Sequence, residues 1–348
     1  MSISTTVVEK FKKIVNSIQG STVNILMTQV DPDALASAFA MSFLIRSIRG
    51  NCTIRIFFAG TISHRQNLTL CNHLGLYDRM RPVSEMKEDD FIKNLILVDS
   101  SMTVDGRCLH GRKLCPIIVI DHHFGGDIAD TDDKFVLIEK IGASSTLVLE
   151  LCEACGIKIG EVDQFIPILL AIGIYTDTLG LTAFTDRDLV AYGKVASASD
   201  QQELMYMFNY PLHDSNYMNM KLALGNVCRH GAHLITNIGP IESKESDDIS
   251  TVADFLIRMD GVSLVIVWAM LKDKREVRIS ARSTDSSLDL CSFLRERFGN
   301  SCGSKPTPDR KSSGGGTISL DLGFWLNHHT IPEAVALVKK FIDTAIFH

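Results

Sequence analysis

The chain has 348 residues, 45% of them hydrophobic and 22% charged, which is typical of two globular domains with substantial apolar cores. Its net charge of −6 argues against binding to long duplex nucleic acid, because such binding usually requires a basic surface. The longest apolar stretch, residues 262–271, is too short to cross a bilayer, and the N-terminal segment lacks a signal-peptide apolar region, so we expect a cytoplasmic protein without membrane contact.

Four apolar runs in the first half of the chain each precede acidic or histidine residues. The runs are residues 23–27, 95–98, 117–120 and 168–174. The first three predict buried parallel strands, whereas the fourth fits a strand and a buried helix equally well. Because the carboxyl ends of parallel strands lie along one edge of an open α/β sheet, we expect the polar residues that follow to converge. These residues are Asp31, Asp33, Asp99, Asp121, His122, His123 and Asp177.

Five aspartates and two histidines in one place would form a strongly acidic cluster. Without bound cations the carboxylates would repel one another, and some would take up protons. Oxygen ligands supplemented by imidazole suit manganese, magnesium or iron better than structural zinc, which favours thiolates. The sequence therefore predicts a metal site at this edge of the sheet.

Helix-like and strand-like segments alternate through residue 175, which predicts a doubly wound, mostly parallel sheet in a first domain, residues 1–204. Within it, residues 142–146 fit a helix start, whose amides would face a phosphate or bind an ordinary N-cap. A segment rich in Met, Asn and Tyr, residues 205–228, is predicted to be the connector. A smaller C-terminal α/β domain follows at residues 229–348, so the expected fold class is two-domain α/β.

The four acidic segments, in this order and each after an apolar run, resemble the motifs of the DHH phosphoesterases, and the resemblance spans nearly the whole chain. The family's first motif, His-x-x-x-Asp-x-Asp-Ala, is matched by residues 27–34, with methionine at the first position. The Asp-His-His triplet of its third motif is matched by residues 121–123. Its second and fourth motifs are matched by Asp99 and Asp177.

The second half of the chain resembles one branch of this family, the small bifunctional oligoribonucleases that also dephosphorylate 3′-phosphoadenosine 5′-phosphate. Residues 277–283 resemble the strand with an Arg-Ser pair in the C-terminal substrate domain of that branch, and residues 314–317 resemble its glycine-rich loop. Three consecutive glycines let backbone amides approach a phosphate closely, although a glycine triplet also fits a simple flexible loop. The nearby basic residues Lys305, Arg310 and Lys311 favour an anionic ligand.

The resemblance implies a homodimeric phosphodiesterase or phosphatase that hydrolyses short oligoribonucleotides or 3′-phosphoadenosine 5′-phosphate with metal-activated water, in a cleft between its two domains. The implied cofactor is Mn²⁺, as one or two ions, with Mg²⁺ as the alternative. The implied catalytic residues are Asp99, which would bridge the ions, Asp121, which would orient an imidazole, and His123, which would face the substrate phosphate. The implied metal ligands are Asp31, Asp33, Asp99, His122 and Asp177. The implied substrate-binding residues are Arg282, Ser283, Gly314, Gly315, Gly316 and Thr317.

Two positions depart from the family's pattern. Met27 stands where the family has its first metal-ligating histidine, and a thioether is a poor ligand for a hard divalent ion. Thr317 stands where the family's loop histidine helps to hold the substrate, and threonine cannot bear a positive charge. Gln29 lies two residues after Met27 on the same side of the predicted strand, so its amide oxygen is a candidate replacement ligand. The alternatives are water and the histidines His64, His73 and His110.

These departures leave two other functions open. One is a degenerate family member that binds a nucleotide without hydrolysing it, which Met27 and Thr317 would explain. The other is an inorganic pyrophosphatase or exopolyphosphatase, which shares the metal motifs but requires a basic C-terminal motif that we do not find in this sequence.

Overall fold

The computed structural model describes residues 3–108, 112–159, 163–306, 312–318 and 322–347. The chain divides into two compact units, Met1–Pro211 and Leu212–His348. The division lies inside the segment that the sequence predicts as a connector. Arg310 and Lys311, which the sequence associates with an anionic ligand, and His110, a candidate replacement ligand, lie outside the described residues. Among the described residues, no helix has both the length and the apolar character needed to span a membrane.

The first unit contains a six-stranded sheet in which all strand pairs are parallel. Its strands are Thr22–Met27 (β1), Thr53–Phe58 (β2), Met80–Pro82 (β3), Leu95–Val98 (β4), Pro116–Asp121 (β5) and Phe135–Ile138 (β6). Their order across the sheet is β3-β2-β1-β4-β5-β6. The chain therefore reverses its direction of travel between β1 and β4, and open α/β sheets bind their ligands at the carboxyl ends of strands beside such a switch point.

Helices cover one face of this sheet. The helices of the first unit are Thr5–Ser17 (α1), Pro32–Ile48 (α2), Arg65–His73 (α3), Ser144–Ala154 (α4), Phe165–Asp177 (α5), Asp186–Ser197 (α6) and Gln201–Phe208 (α7). Strand residues such as Ile25, Ile96 and Ile118 share one core with α1, α2 and α4. On the opposite face, Leu97 and other strand residues pack in the described chain against loops and short 3-10 turns, including Phe91. The strand order is that of a doubly wound sheet, but the regular helices of the described residues pack on one face of it.

The fourth apolar run is a helix. Residues 168–174 lie within α5, which packs against α2, α4, α6 and α7. Because other helices surround α5, every residue from Ile166 to Ile174 is buried, and no amphipathic period appears in the sequence. This burial on all sides is why the run fits a strand and a helix equally well. Asp177 is the last residue of α5, so it comes from a helix end rather than a strand end.

The second unit contains a mostly antiparallel sheet of six strands in the order β11-β12-β10-β9-β8-β7, with β8 and β9 parallel. Its strands are Cys228–His230 (β7), His233–Ile241 (β8), Leu264–Leu271 (β9), Glu276–Ser283 (β10), Cys302–Pro306 (β11) and Ser312–Ile318 (β12). Its helices are Asp214–Gly225 (α8), Asp247–Leu256 (α9), Leu290–Phe298 (α10), Leu322–His328 (α11) and Ile331–Phe347 (α12). Strand β9 is buried throughout because one core with α8 and α9 and another with α10, α11 and α12 cover its two faces. The mixed α/β class and the parallel sheet that the sequence predicts are confirmed.

The glycine triplet does not form a loop. Gly314, Gly315 and Gly316 lie within β12 and pair with β10 on one side and β11 on the other. A Cβ atom on Gly315 would lie 2.5 Å from the Ile279 carbonyl oxygen, and one on Gly316 would lie 2.4 Å from the Ser301 carbonyl oxygen. The predicted loop is therefore wrong at these residues, and two of the three glycines are needed because neighbouring backbone approaches too closely for a side chain.

Candidate metal centre

The segment after β1 places two carboxylates at the carboxyl edge of the parallel sheet. Asp31 is the N-cap of α2, and its Oδ1 accepts a hydrogen bond of 2.9 Å from the Ala34 amide. Pro32 follows in the first turn, where its missing amide proton costs no hydrogen bond. Asp33 also lies in this first turn and is fully buried. A capped helix start thus fixes both carboxylates next to the switch point of the sheet.

Asp33 also caps a second helix. The amides of Ser144 and Ser145 in the first turn of α4 donate to the two oxygens of Asp33 at 2.7 and 2.8 Å. The residue at the N-cap of α4 is Ala143, which has no side-chain acceptor, so the carboxylate from α2 takes that place. The amides that the sequence predicts to face a phosphate or an ordinary cap therefore bind a carboxylate more than a hundred residues away.

Asp99 reaches the same place from the end of β4. Its backbone has a left-handed φ of 55°, a conformation that costs free energy but that aspartate tolerates better than most residues. Its amide donates to the Ile120 carbonyl at 2.8 Å, and its carboxylate accepts a 3.0 Å hydrogen bond from the Ser144 hydroxyl. Only 5% of the Asp99 side chain is exposed. Neighbouring residues therefore hold this carboxylate tightly before any ligand binds.

His122 has an orientation suited to binding a metal ion. Its Nδ1 lies 3.2 Å from the Ile141 carbonyl, which favours the tautomer with the proton on Nδ1. Its buried Nε2 lies 2.9 Å from Asp177 Oδ2 and 3.5 Å from Asp99 Oδ1, at ion-pair distance but without the alignment of a regular hydrogen bond. One ligand atom each from Asp33, His122 and Asp177 lie within 4.8 Å of one another. A buried imidazole nitrogen surrounded by carboxylate oxygens fits a hard divalent cation of the manganese or magnesium type.

Asp121 and His123 form a second layer beside these ligands. Oδ1 of Asp121 accepts hydrogen bonds from the amides of His122 and His123 at 2.8 and 3.1 Å and lies 2.9 Å from His123 Nδ1. Burial raises the pKa of Asp121, but hydrogen bonds from His123 and Ser101 outweigh burial and hold it below its usual value. His123 is half exposed and also lies in a group within 4.8 Å with Asp99 and His122.

The electrostatics of the cluster favour a bound cation. Burial, followed by the charge of Asp177, raises the pKa of Asp31 to about 6 and that of Asp33 to about 7. Burial and four neighbouring carboxylates raise the pKa of Asp99 well above its usual value. Burial lowers the pKa of His122, but the Asp177 and Asp33 carboxylates outweigh it and raise the pKa to about 9. In the absence of a metal ion, protons must therefore supply the positive charge that the cluster lacks.

The structure brings four of the five predicted metal ligands together. Asp33, Asp99, His122 and Asp177 lie around one position, together with His123. Asp31 belongs to neither of the two close groups found among the described residues, although the charge of Asp177 raises its pKa.

The position of the missing histidine is apolar. Met27 is fully buried in the core between the sheet and its helices. The amide oxygen of Gln29, the candidate replacement ligand, accepts a hydrogen bond from the Arg107 guanidinium. Arg107 also forms a two-pronged ion pair with Asp105, with Nε–Oδ1 at 2.9 Å and Nη2–Oδ2 at 2.6 Å. Arg107 is not among the residues predicted from the sequence. Its position eight residues after Asp99, in the segment that follows a ligand strand, was the available signal.

The predicted substrate-binding residues lie in the second unit, on β10 and β12. Arg282 donates from Nε and Nη2 to the two oxygens of Asp254, at 2.5 and 3.0 Å, and from Nη1 to the Ser280 hydroxyl at 3.0 Å. Ser283 is fully buried, and its hydroxyl donates to the Ser263 carbonyl at 3.1 Å. Thr317 is the cross-strand neighbour of Arg278. A phosphate would therefore have to displace Asp254 in order to bind the nitrogens of Arg282 that Asp254 occupies.

Comparison with known proteins gives a distant relationship in sequence and a clear one in fold. No protein-family model matches the chain. The uncharacterized protein MJ1633 of Methanocaldococcus jannaschii is 26% identical over 283 residues, which cover 77% of this chain and 53% of that protein. The chain thus spans about half the length of this relative.

Two solved structures extend the comparison. An exopolyphosphatase-related protein from Bacteroides fragilis superposes with a TM-score of 0.69 and 15% identity, over 98% of this chain and 97% of that one. RecJ from Thermus thermophilus, in complex with Mn²⁺, gives a TM-score of 0.49 and 14% identity, over 95% of this chain and 55% of that one. The chain therefore shares the fold of an exopolyphosphatase-related protein, in agreement with the DHH-type fold that the sequence predicts, and it contains acidic and histidine groups able to hold a metal ion.

Proposed function

We propose that this protein is a metal-dependent phosphoesterase that hydrolyses small nucleotides, namely short oligoribonucleotides, 3′-phosphoadenosine 5′-phosphate or both. The observation that supports it most strongly is the convergence of three carboxylates, from Asp33, Asp99 and Asp177, on the buried Nε2 of His122 at the switch point of a parallel sheet. Such an arrangement destabilises the protein alone and is compensated by a cation. The sequence resemblance to the bifunctional oligoribonuclease branch supports the nucleotide substrate.

The residues of the cluster have distinct roles in this proposal. Asp33, Asp99, His122 and Asp177 would hold a manganese or magnesium ion, and Asp31 and Asp99 would hold a second ion. A bound ion would supply a Lewis acid that screens the phosphate charge and lowers the pKa of water. Asp121 holds the His123 ring by Nδ1, which leaves Nε2 directed away from Asp121 and available to a phosphate oxygen. Ser144 and Ser145 keep the carboxylates in place during the reaction.

The test is nucleotide and phosphate release from 3′-phosphoadenosine 5′-phosphate and from a diribonucleotide, with added manganese. Asp99→Asn is the matched variant, because asparagine tolerates the left-handed backbone at this position and only the charge is lost. We expect turnover by the wild type and a loss of at least about 100-fold in the variant. Pyrophosphate and polyphosphate belong in the same assay, since one structure of this fold is exopolyphosphatase-related. Turnover of these alone would overturn the nucleotide proposal.

A second function is favoured by two specific residues. Met27 contributes no ligand for a first metal ion, and Thr317 contributes no charge where the family has a histidine. A protein with these replacements would bind a nucleotide without hydrolysing it. This alternative predicts nucleotide binding by calorimetry without product, and a gain of turnover in the double variant Met27→His, Thr317→His. Equal turnover by the wild type and the double variant would exclude it.

A further inference from the structure

Phe124 is unusually exposed for a phenylalanine. It directly follows His123, and 70% of its surface is accessible to solvent. Phenylalanine is usually buried, because removing its ring from water is strongly favourable. Because Phe124 is joined directly to His123 of the acidic cluster, its exposed ring is a candidate ligand contact.

The loop that bears Phe124 is anchored on both sides of it. On one side, His123 is bound through Nδ1 and its amide to Asp121. On the other side, Gly126 packs so closely on Ser101 that an added Cβ would lie 2.5 Å from the Ser101 Cβ. Gly125 between them has a φ of 97°, which glycine adopts readily. The ring is thus presented to solvent by a fixed loop.

A second set of contacts fixes the far end of this loop. The Asp127 amide donates to the Ser101 carbonyl at 3.1 Å, and Oδ1 of Asp127 accepts from the Thr103 amide at 2.6 Å. Both partners belong to the segment that follows Asp99. The loops after β4 and β5 are therefore tied together, so a ligand on Phe124 would meet a preorganised surface and lose little free energy in ordering it.

Two more exposed apolar residues follow predicted metal ligands. Met102 lies three residues after Asp99, and Leu179 lies two residues after Asp177. Leu179 has a left-handed φ of 52°, which is an unfavourable conformation for a bulky residue. Exposed apolar residues that closely follow metal ligands in the chain are of no use to pyrophosphate or polyphosphate, which are charged throughout. They suit a substrate that has a flat, apolar surface close to its phosphate.

We propose that Phe124 stacks on the nucleobase of a nucleotide whose phosphate lies at the Asp33, His122 and Asp177 cluster. Consecutive Cα atoms are about 3.8 Å apart, so the backbone of Phe124 lies close to that of His123. A single nucleotide is long enough to contact both residues. Stacking on an aromatic ring accepts any base and adds affinity without hydrogen-bond readout. This inference rests on the proposed function and deepens it, because it assigns the substrate to the nucleoside phosphates rather than the inorganic phosphates.

The experiment compares adenosine 5′-monophosphate with ribose 5-phosphate, which has the same phosphate and sugar but no base. Binding of both to the manganese-loaded protein is measured by calorimetry. The wild type should bind the nucleotide about 10- to 100-fold more tightly than the sugar phosphate. Phe124→Ala should abolish this difference and leave the affinity for ribose 5-phosphate unchanged, whereas Phe124→Trp should preserve it.

A matched control removes another exposed apolar side chain. Ile92 is exposed and lies just before β4, at the opposite, amino-terminal edge of the same sheet. Ile92→Ala should preserve the preference of the wild type for the nucleotide.

Three outcomes would overturn the stacking proposal. These are equal affinities of the wild type for the two ligands, an equal loss of both in Phe124→Ala, and no binding of either ligand. A different result would contradict the proposed catalysis alone. In that case the wild type prefers the nucleotide and Phe124→Ala loses this preference, but neither 3′-phosphoadenosine 5′-phosphate nor the diribonucleotide is turned over. Turnover of nucleotides with an unchanged preference in Phe124→Ala would leave the function intact and reject the role of Phe124.

Discussion

The acidic edge of the first sheet and the Arg282 strand of the second differ in how their charges are balanced. At the acidic edge, Asp33 is buried and Asp99 and His122 are mostly buried, and the carboxylates around the His122 Nε2 outnumber the positive charges. On the second sheet, Arg282 is already bound by Asp254. The first region requires a ligand in order to be satisfied, whereas the second must exchange an internal partner for one. Unbalanced charge is therefore the stronger sign of a binding site.

Among the substitutions considered, replacement of His122 should have the largest effect, and it tests the acidic edge. His122→Ala removes the imidazole nitrogen that Asp33 and Asp177 surround, so manganese affinity should fall by at least about 100-fold, beyond the loss typical of residues outside the ligand shell. Calorimetric titration with manganese measures this change. His73 is the matched control, since it is a surface histidine paired with Glu203. A metal affinity that falls equally in His73→Ala and His122→Ala would contradict the assignment.

The second prediction concerns pH and the stability of the acidic edge. In the metal-free protein the pKa of Asp31 is raised to about 6 and that of Asp33 to about 7, above the usual 3.8. The folded chain thus binds more protons than the unfolded chain between about pH 4 and 7, so its stability falls as the pH rises through this window. A metal ion replaces these protons. The metal-induced rise in melting temperature should therefore be at least a few degrees larger at pH 8 than at pH 5.

An Asp33→Asn variant provides the control for this titration. Its side chain cannot ionise, so its metal-free melting temperature should fall less between pH 4 and 7 than that of the wild type. A metal-induced rise that is the same at pH 5 and pH 8 would show that protons do not occupy the cluster in the absence of metal.

The third prediction concerns the ion pair between Arg282 and Asp254 in the second unit. Asp254→Asn removes the charge that competes with a phosphate for Arg282, so nucleotide affinity should increase. Because 56% of the Asp254 side chain is exposed, solvent weakens its ion pair, and the expected gain is only about two- to fivefold. Glu276→Gln is the matched control, because Glu276 lies on β10, the strand of Arg282, and pairs with Arg278 instead. Weaker nucleotide binding in Asp254→Asn alone would show that Asp254 supports the site rather than competing with the ligand.

The smallest effect is expected at Gln29. Its amide oxygen is bound by Arg107, so Gln29→Ala should change manganese affinity by less than about twofold. The titration used for His122 measures it. A loss comparable to that of His122→Ala would restore Gln29 as a metal ligand.

Much of the first sheet could be predicted from the sequence, because its strands are buried on both faces and appear as short apolar runs. Residues 23–27, 95–98 and 117–120 all lie in parallel strands. Residues 168–174 were ambiguous for a physical reason, since a helix enclosed by other helices has no polar face to reveal its period.

The remaining differences depend on contacts distant in sequence. In the sequence alone, the glycine triplet suggests a flexible loop. In the folded sheet, the Ile279 and Ser301 carbonyls approach two of these glycines too closely for a side chain, and these contacts join residues distant in sequence. Likewise, residues 142–146 indicate a helix start, but not that Asp33 would bind its amides. The residue types at the site were predictable, whereas the partners that orient them were not.

The double hydrogen bond from α4 to Asp33 also makes the cluster observable without a substrate. Each Asp33 oxygen accepts one amide proton, from Ser144 or Ser145, and retains a lone pair that faces elsewhere. A diamagnetic cation such as magnesium that draws on those lone pairs would weaken both hydrogen bonds at once. The NMR resonances of these two serine amides would therefore report whether a metal ion is bound to the cluster. Both amides lie on α4, a helix that contributes no predicted metal ligand.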